Sequence, residues 1–325
     1  MASVYLTSSV EASKGSLRRL SELAALDTVG AHGLADDPEA ADLVLFAESA
    51  WGNELLWGAR RHPLVRRYRE KAFVQCELDS MVPYLPGVYT SVPHRRHRPD
   101  RVRTGSYLWM YQNPAVTYSP DGPAPEWLFS FVGDAATHPV RRSVLALDHP
   151  RALVEDAGGY RSVQDVPGSR DHYQRTYAET LRASAFVLCP RGVSVSSVRV
   201  FEVMRAGRVP VIVSDGWVEP RGPDWPSFSV RVAEADVSSI PARLEALEPE
   251  AAAMGRRARQ TWDAWFADDV AFHHLVEACL DIARTRTQPE RHLRWTAYRS
   301  LSERRLLANT ARLLRQRLRS RLHRR

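Results

Sequence analysis

Lysine is nearly missing from this 325-residue chain: Lys14 and Lys71 are the only two, so arginine carries almost all of the positive charge. Cysteine is scarce too. Cys76, Cys189 and Cys279 are odd in number and far apart, which argues against a disulfide framework and against cysteine metal-ligand spacing. Three such thiols fit a reducing compartment. No run approaches the ~18 apolar residues of a membrane-spanning helix. The first twenty residues lack the apolar core of roughly 7–15 residues that marks a signal peptide, so none is expected. No segment repeats at a period of about 20–50 residues, which excludes solenoids and propellers. Aspartates in D-x-D spacing are missing as well, and Glu77-x-Asp79 is the nearest arrangement.

What is present is a globular composition, 44% hydrophobic and 26% charged, which excludes disorder and collagen-like structure. At roughly 100–200 residues per domain, two domains are expected. The net charge of +7 is uneven. Residues 284–325 hold fourteen arginines against Glu290 and Glu303, a charge of +12, which leaves −5 on the rest. Abundant alanine beside arginine-for-lysine usage points to genomic base composition, so only part of the arginine excess is functional.

Short β-branched or aromatic runs alternate with helical stretches, the α/β pattern. ADLVLFAE (41–48) and KAFVQCELD (71–79) read as buried parallel strands. A proline- and glycine-rich stretch follows at 81–100, and a second at 113–127 reads as a hinge. Strands then recur at 128–133, 185–190, 209–215 and 228–232, with helices near 171–183, 197–206 and 239–247 and a long helical region over 249–284. The expected organisation is an N-terminal Rossmann-like domain over 1–120, a second over 121–284 and a basic helical tail over 285–325.

Residues 186–215, FVLCPRGVSVSSVRVFEVMRAGRVPVIVSD, carry the strongest signal. A strand ends at Cys189-Pro190, a loop follows, and Ser196 or Ser197 stands where a helix N-cap belongs. The helix runs to about Ala206 and stops at Gly207. Its N-terminus offers unpaired N–H groups and the positive end of a dipole, an anion site. Arg191 and Arg199 can converge there on a diphosphate. Glu202, three residues beyond Arg199, shares its face and can accept from both hydroxyls of a ribose. Periodicity alone equally allows a surface ion pair between Arg199 and Glu202 on an ordinary crossover helix.

The segment resembles the signature of the exostosin family of glycosyltransferases: Cys189-Pro190-Arg191-Gly192, then Ser197, Arg199, Phe201-Glu202, Ala206-Gly207 and Pro210-Val211-Ile212. Tyr177, Leu181, Ser184 and Phe186 match the approach to it, and Ser214-Asp215-Gly216, Asp224-Trp225 and Phe228-Ser229-Val230 the exit. FSFVGDAATHPVRR (129–142) resembles a further family element, so the likeness spans about 129–235, with only PGVYTS (86–91) before it. The resemblance implies a GT-B architecture: two Rossmann-like domains facing across a cleft, with the nucleotide-sugar donor on the second. It implies donor contacts from Arg191, Gly192, Ser196, Ser197, Arg199 and Glu202. Gly133 with Arg141 or Arg142 would border the donor, and Asp215 and Gly216 would line its sugar end. Animal exostosins carry a membrane anchor and a second transferase domain; neither is read here, so a free-standing bacterial-type enzyme is expected.

Sugar transfer needs a stabilised leaving diphosphate, a general base and aligned substrates. Without D-x-D, arginines and the helix dipole are expected to replace a metal, so no obligatory cofactor is foreseen. The resemblance suggests inversion by single displacement, which takes one base. Strand-end candidates are Asp79 and Glu48, with Glu77 beside them; His94, His97 and His138 read as loop histidines. Trp51, Trp57, Trp109 and Tyr111 are candidates for an acceptor platform or for core packing. In the tail, Leu307, Ala311, Leu314 and Leu318 form one stripe among arginines, a basic amphipathic helix suited to an anionic membrane surface, to packing on the body or to plain solvation. The expected partners are a nucleotide-diphosphate sugar and a glycan or lipid-linked acceptor, in surface polysaccharide biosynthesis. The expected location is cytoplasmic, peripheral on the inner face of the plasma membrane through residues 300–325. The alternative is a non-catalytic protein of the same fold that binds nucleic acid or membrane through its tail.

Overall fold

The runs of Val, Leu, Ile and Phe become strands of two separate parallel sheets in a computed structural model, which describes residues 1–49, 52–78, 81–108, 113–120, 122–158 and 169–294. The first unit comprises 1–92, 96–110 and everything from Ala271 onward; the second comprises 93–95 and 111–270.

In the first unit, β1 (Ala2–Thr7) leads through α1 (Lys14–Leu26) to β2 (His32–Leu34), β3 (Leu43–Glu48), α2 (Gly52–Arg61), α3 (Pro63–Arg67), β4 (Ala72–Cys76), β5 (Gly87–Tyr89) and β6 (Val102–Thr104). Their order is β2-β1-β3-β4-β5-β6, with every ladder parallel. Every residue of β3 and β4 is buried, as expected of a parallel sheet covered on both faces. The chain reverses direction across the sheet between β1 and β3, and a crevice at such a switch point is where α/β proteins bind ligands. Glycine is needed in β5, where Gly87 has φ +146 and a Cβ would come within 2.0 Å of the Val74 carbonyl oxygen.

In the second unit, β7 (Trp127–Gly133) is followed by α4 (Pro139–Leu145), β8 (Ala152–Asp156), α5 (Ser169–Arg182), β9 (Ser184–Pro190), α6 (Val198–Arg205), β10 (Val209–Val213), β11 (Val230–Val232) and α7 (Ile240–Trp265). The order is β11-β10-β9-β7-β8, again all parallel, with the switch point between β7 and β9. Phe129, Phe131, Phe186, Leu188, Val211 and Val213 pack with Val144, Ile240 and Leu244 in its core. The stop at Gly207 is a Schellman motif: the Gly207 amide donates to Met204 and the Arg208 amide to Val203, with Gly207 at φ +69.

The long helical region does not run unbroken. α7 passes through Pro249 to Trp265, and α8 (Ala271–Thr285) follows as a separate helix. Phe272, Leu275, Val276, Cys279 and Ile282 of α8 pack with Leu20 and Leu23 of α1 and with Leu43 and Leu45 of β3. The expected boundaries at 120 and 284 therefore differ from those observed. Residues 113–120 lie with the second unit: the Asn113 side chain donates to the Gln174 carbonyl, and the Tyr118 ring lies against Gly207 and under Arg259. The last helix among the described residues, α9 (Glu290–Leu293), belongs with the first unit through Glu290 and Arg294. The expected amphipathic stripe of Leu307, Ala311, Leu314 and Leu318 lies outside the described residues. Among the described residues, no helix is long and apolar enough to cross a membrane.

Candidate functional site

Arg199 and Glu202, singled out in 186–215, lie at the β7/β9 switch point of the second unit, and Arg191 directly follows the end of β9. β9 ends at Pro190, and the Arg191 amide is tied to the Val213 carbonyl, 3.0 Å away, which fixes the start of the loop. Ser197 occupies the N-cap of α6 in extended backbone, but its side chain caps nothing. Its Oγ is buried without a hydrogen-bond partner. The first-turn amides of α6 are thus left without a side-chain cap beside a spare hydroxyl, a combination suited to an anion. Ser196 is buried next to it.

Arg199 reaches from the first turn of α6 to the end of β7. Its Nε and Nη2 both donate to the Val132 carbonyl, at 3.2 and 2.8 Å. Its guanidinium lies against two aromatic rings, 5.6 Å from the centre of Phe131 and 5.8 Å from that of Tyr177. Gly133 is required here for space: a Cβ would stand 2.7 Å from the Phe131 ring and 2.9 Å from Arg199 Nη2. Nη1 makes no hydrogen bond or ion pair among the described residues and is left to a ligand.

Glu202 does not pair with Arg199. No ion pair or hydrogen bond of ordinary geometry engages its carboxylate among the described residues. Burial lifts its pKa to about 7, against the opposing charge of Arg199, the Tyr177 hydroxyl and Arg205. A carboxylate held near neutrality without an ion pair to close it off marks a functional group. The surface ion pair that periodicity allowed is not what forms.

The other expected donor contacts divide. Arg191 is half-buried; its Nε donates to the Ser194 carbonyl at 3.2 Å and its Nη1 lies 3.7 Å from Glu234. Asp215 accepts from the Glu234 amide at 2.9 Å, and its own amide donates to Glu234, so it braces the ends of β10 and β11. Arg141 is buried and spans three carbonyls, those of Arg191, Asp134 and Pro190. A Cβ on Gly192 would stand 3.0 Å from Arg141 Nη2, so this arginine braces the loop from behind. Arg142 is exposed and lines a separate cavity of about 430 Å³ with Asp134, Ala135, Ala136 and Asp156. Gly216 accepts from the His94 amide at 2.9 Å and faces Val195. Cys189 is buried and its thiol is pushed far up by desolvation, a core residue. Tyr177, Phe131 and Glu234 carry no role in the sequence alone, although Tyr177 and Phe131 both stand in elements that resemble the family.

In the first unit, Glu48 is fully buried at the end of β3, where it accepts from the Ser9 amide. Burial raises its carboxyl above the ordinary range, opposed by Ser13 and Ser9. It links the loop after β1 to β3 at that unit's switch point. Glu77 is also buried, accepting from the Gln75 side chain and the Leu108 amide at 3.1 and 2.9 Å. Asp79, Trp51, Trp109 and Tyr111 lie outside the described residues. Trp57 lines a cavity of about 520 Å³ with Ser9, Glu54, Arg61 and His62. Among the described residues, no three His, Cys, Asp or Glu side chains are grouped to hold a metal ion.

Residues 90–247 match the profile of the exostosin GT47 domain. These residues are therefore similar to an exostosin GT47 domain. Exostosin-2 of Bos taurus is 30% identical over 237 residues, covering 65% of this chain and 32% of that protein. The exostosin-1 homolog of Caenorhabditis elegans is 46% identical over 77 residues, covering 23% of this chain and 20% of its own. The chain thus spans about a third or less of the length of these curated relatives. Among solved structures, Anabaena Alr3699/HepE in complex with UDP aligns over 88% of this chain and 99% of its own, at 10% identity and a TM-score of 0.42. The matched region takes in β7, α6 and the Arg191, Arg199 and Glu202 positions, so the site lies wholly inside it.

Proposed function

We propose that this chain transfers a sugar from a nucleotide-diphosphate sugar to a glycan or lipid-linked acceptor. The observation that carries the reading is the start of α6. There an uncapped helix N-terminus, a spare Ser197 hydroxyl, the Arg199 guanidinium and the Glu202 carboxylate, raised toward neutrality by burial, stand together at a sheet switch point. Charge on a leaving diphosphate is met by the α6 amides and by the free edges of Arg199 and Arg191. Glu202, one turn deeper, takes the ribose hydroxyls and sets the depth of the nucleotide.

Transfer is by single displacement with inversion, so one base must take the acceptor proton. Glu48 is enclosed and held by the Ser9 amide, which leaves Asp79 as the better assignment. Arginines and backbone amides supply the positive charge a metal would otherwise bring, so no metal is needed. The product belongs to surface polysaccharide assembly, and the basic tail keeps the enzyme at an anionic membrane surface.

The test is a screen of nucleotide sugars by thermal shift, because a bound donor raises the melting temperature by mass action. One sugar nucleotide is expected to stabilise the protein and to support transfer with excess EDTA present. Stabilisation by none of them overturns the donor site; turnover lost with EDTA and restored by manganese overturns the metal-independent mechanism.

A further inference from the structure

Tyr177 is the aromatic residue of the site that neither the motif nor the transfer chemistry explains. It lies in the last turns of α5, which packs on β7 and β9. The side chain is buried and its hydroxyl makes no hydrogen bond. A buried hydroxyl without a partner is destabilising, and native proteins rarely leave one. Yet it is not remote from partners: the hydroxyl lies toward the Glu202 carboxylate, within its electrostatic reach, without closing a hydrogen bond of ordinary geometry.

The ring has a second contact. Its centre lies 5.8 Å from the Arg199 guanidinium, and that of Phe131 lies 5.6 Å from the same group. Tyr173, one turn earlier on α5, stacks on Tyr177 with ring centres 6.5 Å apart and planes 13° apart. Tyr177 therefore touches both groups assigned to the donor while being too enclosed to be a surface contact itself.

We propose that Tyr177 is a positioning residue of the donor site: its ring, with that of Phe131, holds the Arg199 guanidinium in place, and its hydroxyl is the donor held for the Glu202 carboxylate when a nucleotide binds. This rests on the reading of Glu202 as a donor contact. In the free protein Glu202 is drawn toward its neutral form by burial, and the hydroxyl is left without a partner. A ribose diol that favours the ionised carboxylate draws it into a charge-assisted bond with the phenol. The titratable and charged groups facing Glu202 are Arg199 and Arg205 on α6 itself and Tyr177 on α5, with Cys189 on β9 also coupled to it. Tyr177 is the neutral donor of this set.

The experiment is calorimetric binding of a panel of nucleoside diphosphates (UDP, GDP, ADP, CDP and dTDP) between pH 5.5 and 8.5. With the one that binds wild type best, Tyr177→Phe should weaken affinity about tenfold at neutral pH. It should also move the pH midpoint of binding upward, because a hydrogen bond to the charged form lowers a carboxyl pKa and its loss raises it. In a Glu202→Gln background the same substitution should change affinity by less than about twofold, the signature of a pair acting together. Replacing Tyr177 with a more acidic fluorotyrosine keeps the ring and should move the midpoint downward; it also decides the matter if Tyr177→Phe does not fold. An unmoved midpoint in these variants, or an undiminished tenfold loss in the Glu202→Gln background, would show a merely structural tyrosine. If wild type binds none of the five nucleotides, the donor reading itself is wrong and the assignment of Tyr177 falls with it.

Discussion

Arg199 and Glu202 share a face of α6 without pairing, and that separation has consequences for each residue. Arg199 is aimed by the Val132 carbonyl and two aromatic rings, so its free edge is fixed before any ligand arrives. Preorganised charge of this kind costs no reorganisation during reaction. Arg199→Ala and Glu202→Ala should each remove about 1.5–3 kcal/mol of donor binding, the range for hydrogen bonds to charged groups. Calorimetry with the stabilising nucleotide sugar would check this, and unchanged affinity in both variants would remove the assignment. The pH dependence follows from Glu202. Its folded pKa is about 7, so the free protein carries the neutral form below that pH, while the ribose contact needs the carboxylate. Donor affinity should therefore fall as pH drops through 7, by about tenfold between pH 8 and pH 6. A sugar diphosphate ester does not titrate in that window, and in Glu202→Gln the profile should be flat.

The end of the chain behaves as two elements with different duties. α8 and α9 belong to the first unit, and the short α9 carries a fully enclosed charge. Glu290 is fully buried and receives two hydrogen bonds from the equally buried Arg101, at 3.1 and 2.9 Å. Arg286 lies 3.5 Å from the same carboxylate, while Arg294 donates to the Val65 and Arg69 carbonyls. Removing one partner of a buried pair leaves an uncompensated charge and costs about 3–5 kcal/mol. Ending the chain after Thr285 should destabilise the first unit by at least that amount in urea unfolding. Ending it after Arg294 should change stability little. Equal stability of the two truncations would mean that α9 contributes nothing to the fold.

At the scale of the whole molecule, the chain leaves the first unit near residue 110 and returns to it at Ala271, so neither unit is continuous in sequence. The charge of +12 on residues 284–325 then splits between buried structural arginines and the remainder of the tail. Polybasic segments gain about 1 kcal/mol per Lys or Arg at an anionic leaflet. Removing residues 300–325 should release the protein from anionic liposomes at about 0.1 M salt and leave transfer to a soluble acceptor largely intact. Sedimentation of the truncated protein with the same liposomes would refute a tail anchor.

Much of this was legible in the residues alone. Continuous apolar runs such as LVLFAE and VPVIV name buried parallel strands because both of their faces must be covered. Ser197, Gly207 and the spacing of Arg199 and Glu202 name a helix start, a helix stop and a shared face because those rules are local. β1, β2, β5, β6 and β8 were not read as strands; β2, β5 and β6 are three residues each, too short for periodicity to declare them. Which groups Arg199 chooses, which of Arg141 and Arg142 faces the loop, and which unit receives α8 depend on contacts between residues tens or hundreds apart in the chain. Arg101 and Glu290 are 189 residues apart, and only burial converts two ordinary charges into a pair the fold depends on. Local pattern therefore determined the elements and the candidate donor motif. Packing decided their partners, because the environment that sets a side chain's hydrogen bonds and pKa is assembled only when the sheets close over it.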